Sequence, residues 1–591
     1  MYCRPGRRQS YETGGGISVT GNSQSSNSEK PRTGSGGDLV VAYLKVEGVQ
    51  FVFGVIGSSI LDLTDALYRE PAIRYVPTQH EQAAAYMADG YARVTGKPGV
   101  CIATVGPGVT NLTSGIAQAF VESSPVLALT GDIHTHHYGK GASNFHEIDQ
   151  QALYRPITKL SKRVEHPERL GEFLQMAFRT AMSGRHGPVY LGLPRDVLRA
   201  RLPIQVPPPE SYRVLNHRVR PDPNQVDRAA DLLAAARRPV LILGGGLRWS
   251  PGALEVSLSL AETWQIPVVS SLKGLAPEDH PRVFGLIGST NSPVAMRAVQ
   301  ESDLILAVAH TFSQVATNSY GHKTIPRNPR IVHIDLDATE IGKNYPVVVG
   351  LVGDAAAALR DLTQALPATP THDRREWLAE LEQDRADFWA QLAAMAEDDS
   401  CPISRMRLLG DLQKVLDRDA IISAEAGATH QWFRFGYRAT QPLLEPGGYS
   451  VMGSAFCMCM AAKLAYPERQ AVAMLGDGAF MMIMPELATA VAQDIPLVVI
   501  VCHNDIYGNV QSKQYLNFGG RRIGTDLYIP DLAAIARDFG AYGERVDRPD
   551  AIIPALERAL SAGRPAVLDV IIDARPEHLE APTKVRVKDR Y

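Results

Sequence analysis

Residues 471–504 read AVAMLGDGAFMMIMPELATAVAQDIPLVVIVCHN, with two apolar runs on either side of a helical pattern. The first run ends in a glycine turn at Gly476–Gly478, and the second ends just before Asn504. Short continuous apolar runs are typical of strands that are buried on both faces. Such strands, when a helix separates them, form the repeating unit of a parallel sheet that is covered on both sides. We therefore expect an α/β fold.

The same alternation continues along most of the chain. Further apolar runs between helical patterns are VQFVFGVIG, IRYVPT, GVCIATVG, SPVLALTGD, PVLILGGG, LILAVAH, RIVHIDLD and PAVLDVIID. Residues 202–225 contain six prolines and little periodicity, which is typical of a linker. The pattern predicts three doubly wound parallel-sheet domains with a tail at each end. The predicted domains are 37–201, 226–366 and 396–575, and the tails are 1–36, expected to be disordered, and 576–591.

The composition argues against several classes of function. The formal net charge is −3 over 591 residues, so we expect no binding to nucleic acid or to an anionic membrane. No apolar run approaches the roughly 20 residues that a membrane span needs. The six cysteines lie mostly in apolar runs, and the pair Cys457 and Cys459 lacks a second ligand pair, so we expect reduced thiols and no zinc site there. The first 36 residues contain no hydrophobic segment, so we expect no secretory signal and a cytoplasmic protein.

The glycine turn at Gly476–Gly478 predicts an anion site. Backbone N–H groups at the start of a helix, together with the positive end of the helix dipole, favour a phosphate group. Asp477 supplies a carboxylate at this turn, and Asn504 supplies a neutral side-chain oxygen at the end of the next apolar run. Oxygen ligands of this kind suit Mg²⁺. We therefore expect a diphosphate and a magnesium ion at one edge of the third sheet.

The combination of this turn with Asn504, 26 positions after Gly478, resembles the binding motif for thiamine diphosphate (ThDP). The ordered chain as a whole resembles the acetolactate synthase branch of ThDP-dependent enzymes. The resemblance implies a pyrimidine-binding, a central and a diphosphate-binding domain, in that order. It implies that Mg²⁺ is held by Asp477, Asn504 and the main-chain oxygen of Ile506. It also implies further contacts to the cofactor from Gly476, Gly478, Ala479, Tyr507 and Gly508, and support beneath its rings from Met452.

Glu81 lies in the segment QHEQAA, directly after the run IRYVPT. From the residues alone it is a carboxylate at the start of a helix, where the helix dipole favours it. The resemblance gives it a catalytic role, in which it hydrogen-bonds the pyrimidine ring of ThDP and promotes loss of the proton from the thiazolium ring. The resemblance also implies that Gly57, Pro107 and Asn111 contact the cofactor.

Several positions bear on the substrate. Phe145, His146 and Lys159 match a pocket segment and a pocket lysine of the family. For His146 and Lys159, a surface position or a satisfied core position is an equal alternative. Ser58 departs from the Pro-Gly-Gly-Ala-Ile segment of typical acetolactate synthases. Asn509 and Lys513 stand where those enzymes have a methionine and a tryptophan. A polar, cationic pocket wall implies an unusual acceptor, although a solvated Lys513 on the surface is equally consistent with the sequence.

A further departure is the segment GATHQW at 427–432, where typical synthases read Gly-Gln-His-Gln-Met-Trp. Either the segment is shifted by one position, or two side-chain contacts to the diphosphate are lost. Binding of FAD to the central domain is also open, because the segment His310–Gln314 lacks the arginine and the two acids of flavin-binding relatives, whereas Gly244–Gly246 remains.

The resemblance implies an enzyme that decarboxylates a 2-oxo acid and ligates the resulting carbanion or enamine to a second carbonyl compound. It also implies a homodimer or homotetramer with active sites at the subunit interface. One alternative is a ThDP-dependent lyase or decarboxylase acting on a 2-hydroxyacyl-CoA or a cyclic diketone. The other is a non-catalytic paralogue, which the joint presence of Glu81, Asp477 and Asn504 disfavours.

Overall fold

The computed structural model describes residues 32–215, 218–271, 273–274, 276–289 and 292–575. The predicted C-terminal tail at 576–591 and most of the predicted N-terminal tail lie outside this part of the chain. No helix within it is long and apolar enough to cross a membrane.

The first domain is a parallel sheet with helices on both faces. Its elements are β1 (Thr33–Ser35), α1 (Gly36–Val46), β2 (Phe51–Gly54), α2 (Leu61–Tyr68), β3 (Arg74–Pro77), α3 (Glu81–Thr95), β4 (Gly99–Ala103), α4 (Pro107–Val121), β5 (Val126–Asp132), α5 (Gln150–Tyr154), β6 (Leu160–Arg163), α6 (Leu170–Met182), β7 (Val189–Pro194), α7 (Arg195–Arg199) and β8 (Arg201–Pro203). The 6-stranded sheet has the order β3-β2-β4-β5-β7-β6. Strands β4, β5 and β7 are buried along their whole length because helices cover both faces.

This domain begins earlier than the sequence predicted. Strand β1 pairs antiparallel with β8, so residues that we assigned to the disordered tail close the domain instead. Ser35 then caps α1: its hydroxyl accepts from the N–H of Asp38 at 3.0 Å, and the Asp38 carboxylate accepts from the N–H of Ser35 at 2.7 Å. The surrounding Gly- and Ser-rich composition conceals both features from a reading of periodicity.

The central domain is also a parallel sheet. Its elements are α8 (Pro223–Ala235), β9 (Pro239–Leu243), α9 (Ala253–Thr263), β10 (Val268–Ser270), β11 (Val283–Leu286), α10 (Pro293–Gln300), β12 (Leu304–Val308), β13 (Ile331–Asp335), β14 (Val349–Val352) and α11 (Ala355–Ala365). The strand order is β11-β10-β9-β12-β13-β14, so the connections change direction between β9 and β12. Dinucleotide-binding folds share this order and bind their ligands at that change of direction.

A helix of 21 residues, α12 (Arg375–Met395), leads into the third domain. The elements that follow are α13 (Arg405–Val415), β15 (Ile421–Ala424), α14 (Ala428–Gly436), α15 (Ser454–Ala465), β16 (Ala471–Gly476), α16 (Asp477–Ile483), α17 (Glu486–Ala492), β17 (Val498–His503), α18 (Gly508–Asn517), α19 (Leu532–Asp538), β18 (Tyr542–Val546), α20 (Ile552–Ser561) and β19 (Ala566–Ile571). They form a 5-stranded parallel sheet in the order β15-β16-β17-β19-β18. The prediction of three α/β domains with parallel sheets is confirmed.

The first and third domains pack through helices α3 and α15. Both helices are rich in small residues, and a Cβ on Gly90 would lie only 2.6 Å from the Cα of Met458. Just before α3, the backbone N–H groups of Gln79 and His80 each donate to the buried carboxylate of Glu486 at 3.0 Å. The start of α3, where Glu81 lies, is therefore anchored to the third domain.

Candidate active site

Asp477 and Asn504 lie side by side at the carboxyl edge of the third sheet. Strands β16 and β17 are neighbours, and Gly476 pairs with Cys502 in their register, so the residues that follow each strand meet. The Asp477 carboxylate accepts backbone N–H groups from Gly478 at 2.7 Å, from Asn504 at 2.9 Å and from Asp505 at 2.7 Å. The turn is therefore held in one conformation around this carboxylate.

The oxygen donors at this turn fit a hard cation. Asp477 is 1% exposed, and burial raises its pKa while the three backbone N–H donors act against the shift. A divalent cation beside the carboxylate would favour its ionised form. The amide nitrogen of Asn504 points toward the main-chain oxygen of Asp573 at 3.5 Å, which leaves the amide oxygen for a ligand. Together with the main-chain oxygen of Ile506, these are groups that Mg²⁺ prefers.

The structure adds two neighbours that the sequence analysis missed. Asp477, His503 and Asp505 have ligand atoms within 4.8 Å of one another. The ring nitrogens of His503 are bonded to Asp569 at 2.6 Å and to Asp505 at 3.2 Å. Burial alone would lower the pKa of His503, but these carboxylates raise it. Because both ring nitrogens are bonded to carboxylates, His503 acts here as a support for the loop.

Two glycines shape the space beside the turn. A Cβ on Gly478 would lie 2.4 Å from Cε1 of Tyr507, so the tyrosine ring lies directly on this glycine. At Gly476 the nearest atom to a Cβ would be Oγ1 of Thr429, at 3.9 Å, which leaves open space. Open space beside N–H groups at the start of a helix is suited to a phosphate.

The segment GATHQW lies between β15 and the first turns of α14. Gly427, at φ +110°, leads directly into α14, and Thr429 faces Gly476. The ring of His430 instead lies 2.6 Å from the carboxylate of Glu445, which Arg434 also binds. The Thr429 hydroxyl, rather than the His430 ring, therefore faces the glycine turn.

Met452 lies on a segment whose backbone N–H groups bind a buried carboxylate. The backbone N–H groups of Gly453 and Ala455 donate to Glu425 at 2.9 and 3.1 Å. Burial raises the pKa of Glu425 to about 7. A Cβ on Gly453 would lie 3.8 Å from the main-chain oxygen of Ala479, so this segment lies against α16. Sequence analysis missed Glu425, whose role becomes visible only through these contacts.

Glu81 is the first residue of α3 and is 8% exposed. The side-chain amide of Asn111, on α4, donates to its carboxylate at 2.9 Å. Gly108, on the same helix, leaves room for the other oxygen, since a Cβ there would lie 3.1 Å from Oε1 of Glu81. The structure thus brings together Glu81 and Asn111, which the sequence analysis singled out separately.

The turn after β2 packs against the turn after β4. A Cβ on Gly57 would lie 2.4 Å from the side chain of Thr104. Ser58 is exposed, whereas the neighbouring Ser59 is buried. The hydroxyl of Ser59 lies 2.9 Å from that of Thr104 and accepts from the N–H of Val105 at 3.0 Å. The analysis named Ser58 as a pocket residue, but it is Ser59 that contacts this turn.

His146 lies beside the turn that precedes α4. A Cβ on Gly106, at φ +73°, would lie 2.8 Å from the Cβ of His146. The N–H of Gly106 donates to the buried side chain of Gln150 at 2.8 Å. Pro107 is exposed as the first residue of α4, and Phe145 is 80% exposed and stacks on His146 at 3.6 Å. The structure therefore places Phe145 and His146 at the same edge as Glu81, and Gln150 is a further residue that sequence analysis missed.

Lys159 does not join this group. Its ammonium donates to the main-chain oxygens of Ser183 at 2.8 Å and Arg185 at 2.6 Å. Partial burial lowers the pKa of Lys159 to about 8, and Arg185 adds to the shift. In the single chain these contacts favour the alternative of a satisfied structural position for Lys159.

Helix α18 begins at Gly508, shortly after Asn504. Asn509, in its first turn, lies 3.5 Å from the side-chain amide of Gln431. Lys513 is exposed on the same helix. The structure thus links Asn509 to the GATHQW segment and leaves Lys513 in solvent in the single chain.

Two groups of site residues remain separate. One is the glutamate group, made of Glu81, Asn111 and Gly108, and the other is the diphosphate turn at Gly476–Gly478 with Asn504. Within the described ranges, no hydrogen bond or ion pair joins Glu81 to Asp477 or Asn504. A single chain therefore presents two half-sites.

A cleft of about 410 Å³ lies at the carboxyl edge of the central sheet. It opens where the strand connections change direction between β9 and β12, and the N–H of Gly246 donates to the main-chain oxygen of Ala309 across this point at 3.3 Å. Asp335, at the end of β13, also lines the cleft, and burial raises its pKa to about 6. Thr311 and Ser313 line it in the segment where flavin-binding relatives carry the arginine and acids.

Comparison with known proteins covers the same three domains. The profile described as "Thiamine pyrophosphate enzyme, N-terminal TPP binding domain" matches residues 34–153. The corresponding central domain matches residues 226–362, and the C-terminal TPP binding domain matches residues 425–570.

Curated relatives are similar over nearly the whole chain. A "Probable acetolactate synthase large subunit" of Methanocaldococcus jannaschii is 37% identical over 552 residues, which cover 91% of this chain and 92% of the relative. The "Acetolactate synthase large subunit" of Haemophilus influenzae is 32% identical and covers 93% and 96%. The "Acetolactate synthase isozyme 3 large subunit" of Escherichia coli is also 32% identical, with coverage of 93% and 97%.

Proposed function

This chain belongs to the thiamine-diphosphate-dependent enzymes of the acetolactate synthase type, and on that basis we propose that it decarboxylates a 2-oxo acid and joins the remaining fragment to a second carbonyl compound. The observation that carries the proposal is the pair of half-sites, Glu81 with Asn111 and Asp477 with Asn504, in a chain whose relatives match from end to end. Because the chain belongs to this family, it is a carboligase or decarboxylase. The particular substrates are part of the proposal.

ThDP, when bound, supplies an electron sink that allows a 2-oxo acid to lose CO₂ and a new carbon–carbon bond to form. Glu81 would hold the pyrimidine ring by a hydrogen bond and exchange a proton at its carboxylate. Asn111 orients that carboxylate through its 2.9 Å hydrogen bond. The buried position of Glu81 keeps bulk water away from the proton in transfer.

The proposed Mg²⁺ ligands are Asp477, Asn504 and the main-chain oxygen of Ile506. Their support is the fixed orientation of the Asp477 carboxylate and the free oxygen of the Asn504 amide. The open space at Gly476 and the facing hydroxyl of Thr429 are suited to the diphosphate.

We propose an acceptor more polar than that of typical acetolactate synthases. Asn509 is the main support, because it replaces a methionine and lies within reach of Gln431. Lys513 would contribute only if the assembled protein brings its exposed side chain toward a site. Activity on a 2-hydroxyacyl-CoA or a cyclic diketone is not favoured, since the relatives carry acetolactate synthase names.

The half-sites support an oligomer in which Glu81 of one copy faces Asp477 of another. Exposed apolar side chains accompany both half-sites, as expected of an interface. They are Phe145, Leu516, Phe518, Ile523 and Tyr528. Mixing Glu81→Gln with Asn504→Ala protein tests this arrangement, because random reassortment should restore roughly a quarter of wild-type activity if each site is shared by two copies. If mixing the two variants restores no activity, the whole active site lies within one chain.

For the central cleft we propose a nucleotide ligand, with FAD as the first candidate. Its volume of about 410 Å³ and its position at the change in strand direction suit a nucleotide. Thr311 and Ser313 lack the charges of the corresponding residues in flavin-binding relatives. The experiment must therefore test whether the bound nucleotide is a flavin. A visible absorbance scan of the purified protein decides it: a flavin band supports FAD, and a colourless protein that releases another nucleotide on denaturation rejects it.

Turnover is tested with a panel of 2-oxo acids and aldehydes, in the presence of ThDP and Mg²⁺. We expect release of CO₂ and an acyloin or acetohydroxy acid product by mass spectrometry. Absence of turnover with the whole panel would reject the proposed function. A cytoplasmic location stays a prediction, supported by free thiols at Cys101, Cys457, Cys459 and Cys502.

A further inference from the structure

Three histidines lie together in the first domain, outside both half-sites. The loop after β5 reads His134-Thr135-His136-His137, and Asp196 lies at the start of α7, directly after β7. Strands β5 and β7 are neighbours, with Asp132 paired to Pro194. Two residues beyond this pair, His134 and Asp196 therefore meet at the carboxyl edge of the sheet.

Both flanking histidines point at the same carboxylate. Nδ1 of His134 lies 3.9 Å from one oxygen of Asp196, and Nδ1 of His136 lies 3.8 Å from the other. Between them, the N–H of Thr135 lies 3.2 Å from both oxygens, and its hydroxyl also donates to Asp196. The carboxylate is thus fixed while the two imidazoles converge on it, and the ligand atoms all lie within 4.8 Å of one another.

Two imidazoles and one carboxylate are a common ligand set for Zn²⁺ and similar ions. With ligand bonds of about 2.0–2.1 Å, the ligand atoms of a tetrahedral site are about 3.4 Å apart. The two nitrogen–oxygen separations exceed this by about half an ångström, and the two histidine nitrogens lie within 4.8 Å of each other. Side-chain rotations can bring these atoms to ligand distance. His134 and Asp196 have side chains 35% and 27% exposed, so an ion can enter from solvent.

A third imidazole, that of His137, lies beside the cluster. Neutral imidazoles are the form that binds metal ions. The ring centroid of His137 lies 4.3 Å from that of His136, so His137 is near enough to contact the same ion.

We propose that His134, His136 and Asp196 bind one divalent transition-metal ion of the Zn²⁺ type, with water in the remaining positions. The ion would join the loop after β5 to α7. The same loop carries His146 against Gly106, so a bound ion would restrain the segment beside the glutamate group. The proposal of a metal ion at this site does not rest on which substrate the enzyme uses.

Equilibrium dialysis of the full-length protein against Zn²⁺, with ThDP and excess Mg²⁺ present, tests the site by metal analysis. We expect one Zn²⁺ per chain in the wild type and at least about 100-fold weaker binding in the double variant His134→Ala/His136→Ala. His166→Ala is the matched control, because His166 also lies 3.9 Å from a carboxylate, Glu168, but has no second histidine there. The control should bind Zn²⁺ as the wild type does.

Equal Zn²⁺ binding by the wild type and the double variant would overturn the site, since the metal would then lie elsewhere, for example at Asp477. A wild type that binds no Zn²⁺ at micromolar concentration would also overturn it. Co²⁺ provides a measurement that needs no variant: a visible absorption band from ligand coordination supports the site, and the spectrum of hydrated Co²⁺ alone contradicts it.

Discussion

The side-chain amide of Asn111 donates a 2.9 Å hydrogen bond to the carboxylate of Glu81, which links the start of the second turn of α4 to the start of α3. A hydrogen bond to a charged group contributes about 1.5–3 kcal/mol. Because Asn111 orients the proton-transferring carboxylate, Asn111→Ala should lower kcat by about 10- to 100-fold at saturating ThDP. Steady-state kinetics with the best 2-oxo acid checks this.

Thr113→Ala is the control for that variant. The hydroxyl of Thr113 lies on the same helix and donates only to the main-chain oxygen of Thr110. It should leave kcat unchanged. If Asn111→Ala behaves like Thr113→Ala, the hydrogen bond to Glu81 has no role in the reaction.

The metal loop offers a test between two ligand sets. Asn504→Ala removes a proposed Mg²⁺ ligand, so we expect ThDP affinity in the presence of Mg²⁺ to fall at least about 10-fold. Asp505→Asn should change it little, because the Asp505 side chain is 59% exposed and is bonded to His503. Titration calorimetry measures both. Stronger loss in Asp505→Asn than in Asn504→Ala would instead favour the set of Asp477, His503 and Asp505.

The two glycines of the turn should respond differently to alanine. A Cβ on Gly478 would lie 2.4 Å from Tyr507, so Gly478→Ala should destabilise the cofactor-free protein by about 1–3 kcal/mol. Gly476→Ala has 3.9 Å of clearance, so it should leave that stability unchanged and weaken ThDP binding alone. Thermal unfolding without and with ThDP separates the effects. Equal unfolding temperatures for the two cofactor-free variants would contradict the close packing of Tyr507.

Glu425 should make stability depend on pH. Burial raises its pKa from 4.5 to about 7, so between these values the folded chain holds a proton that the unfolded chain has lost. Wild-type stability relative to Glu425→Gln should therefore fall as pH rises through this window, by roughly 3 kcal/mol at most.

Urea unfolding of the cofactor-free protein at pH 5 and pH 8 measures this difference. Glu168→Gln, at a side chain that is 73% exposed, should follow the wild type at both pH values. Two results would show that Glu425 is ionised in the folded chain throughout. In the first, the stability difference between the wild type and Glu425→Gln is the same at pH 5 and pH 8. In the second, this difference grows in favour of the wild type at pH 8.

The parallel sheets and the metal turn were predictable from local sequence. Apolar runs such as AVAML and PLVVIV are long enough to indicate buried strands, and parallel neighbours bring their carboxyl ends to one edge. The meeting of Asp477 with Asn504 follows from that geometry. By contrast, β1 was not predictable, because Thr33–Ser35 becomes a strand only through its pairing with Arg201–Pro203, far away in sequence.

The supporting residues of the site were not predictable for a related reason. Ser59, Gln150 and Glu425 act through hydrogen bonds to backbone groups of other segments, and such contacts leave no periodic signal. Lys159 illustrates a different case. Its match to a family position suggested a pocket, but the carbonyl groups of Ser183 and Arg185 determine where its ammonium lies.

The most direct measurement of the central claim is ThDP-dependent release of CO₂ from a 2-oxo acid by the wild type and by Glu81→Gln, with Mg²⁺ present. We expect the wild type to release CO₂ only when ThDP is added. Glu81→Gln should bind ThDP through the intact diphosphate turn and yet react at least about 100-fold more slowly. Release of CO₂ by Glu81→Gln at the wild-type rate, or by the wild type without ThDP, would contradict the assignment.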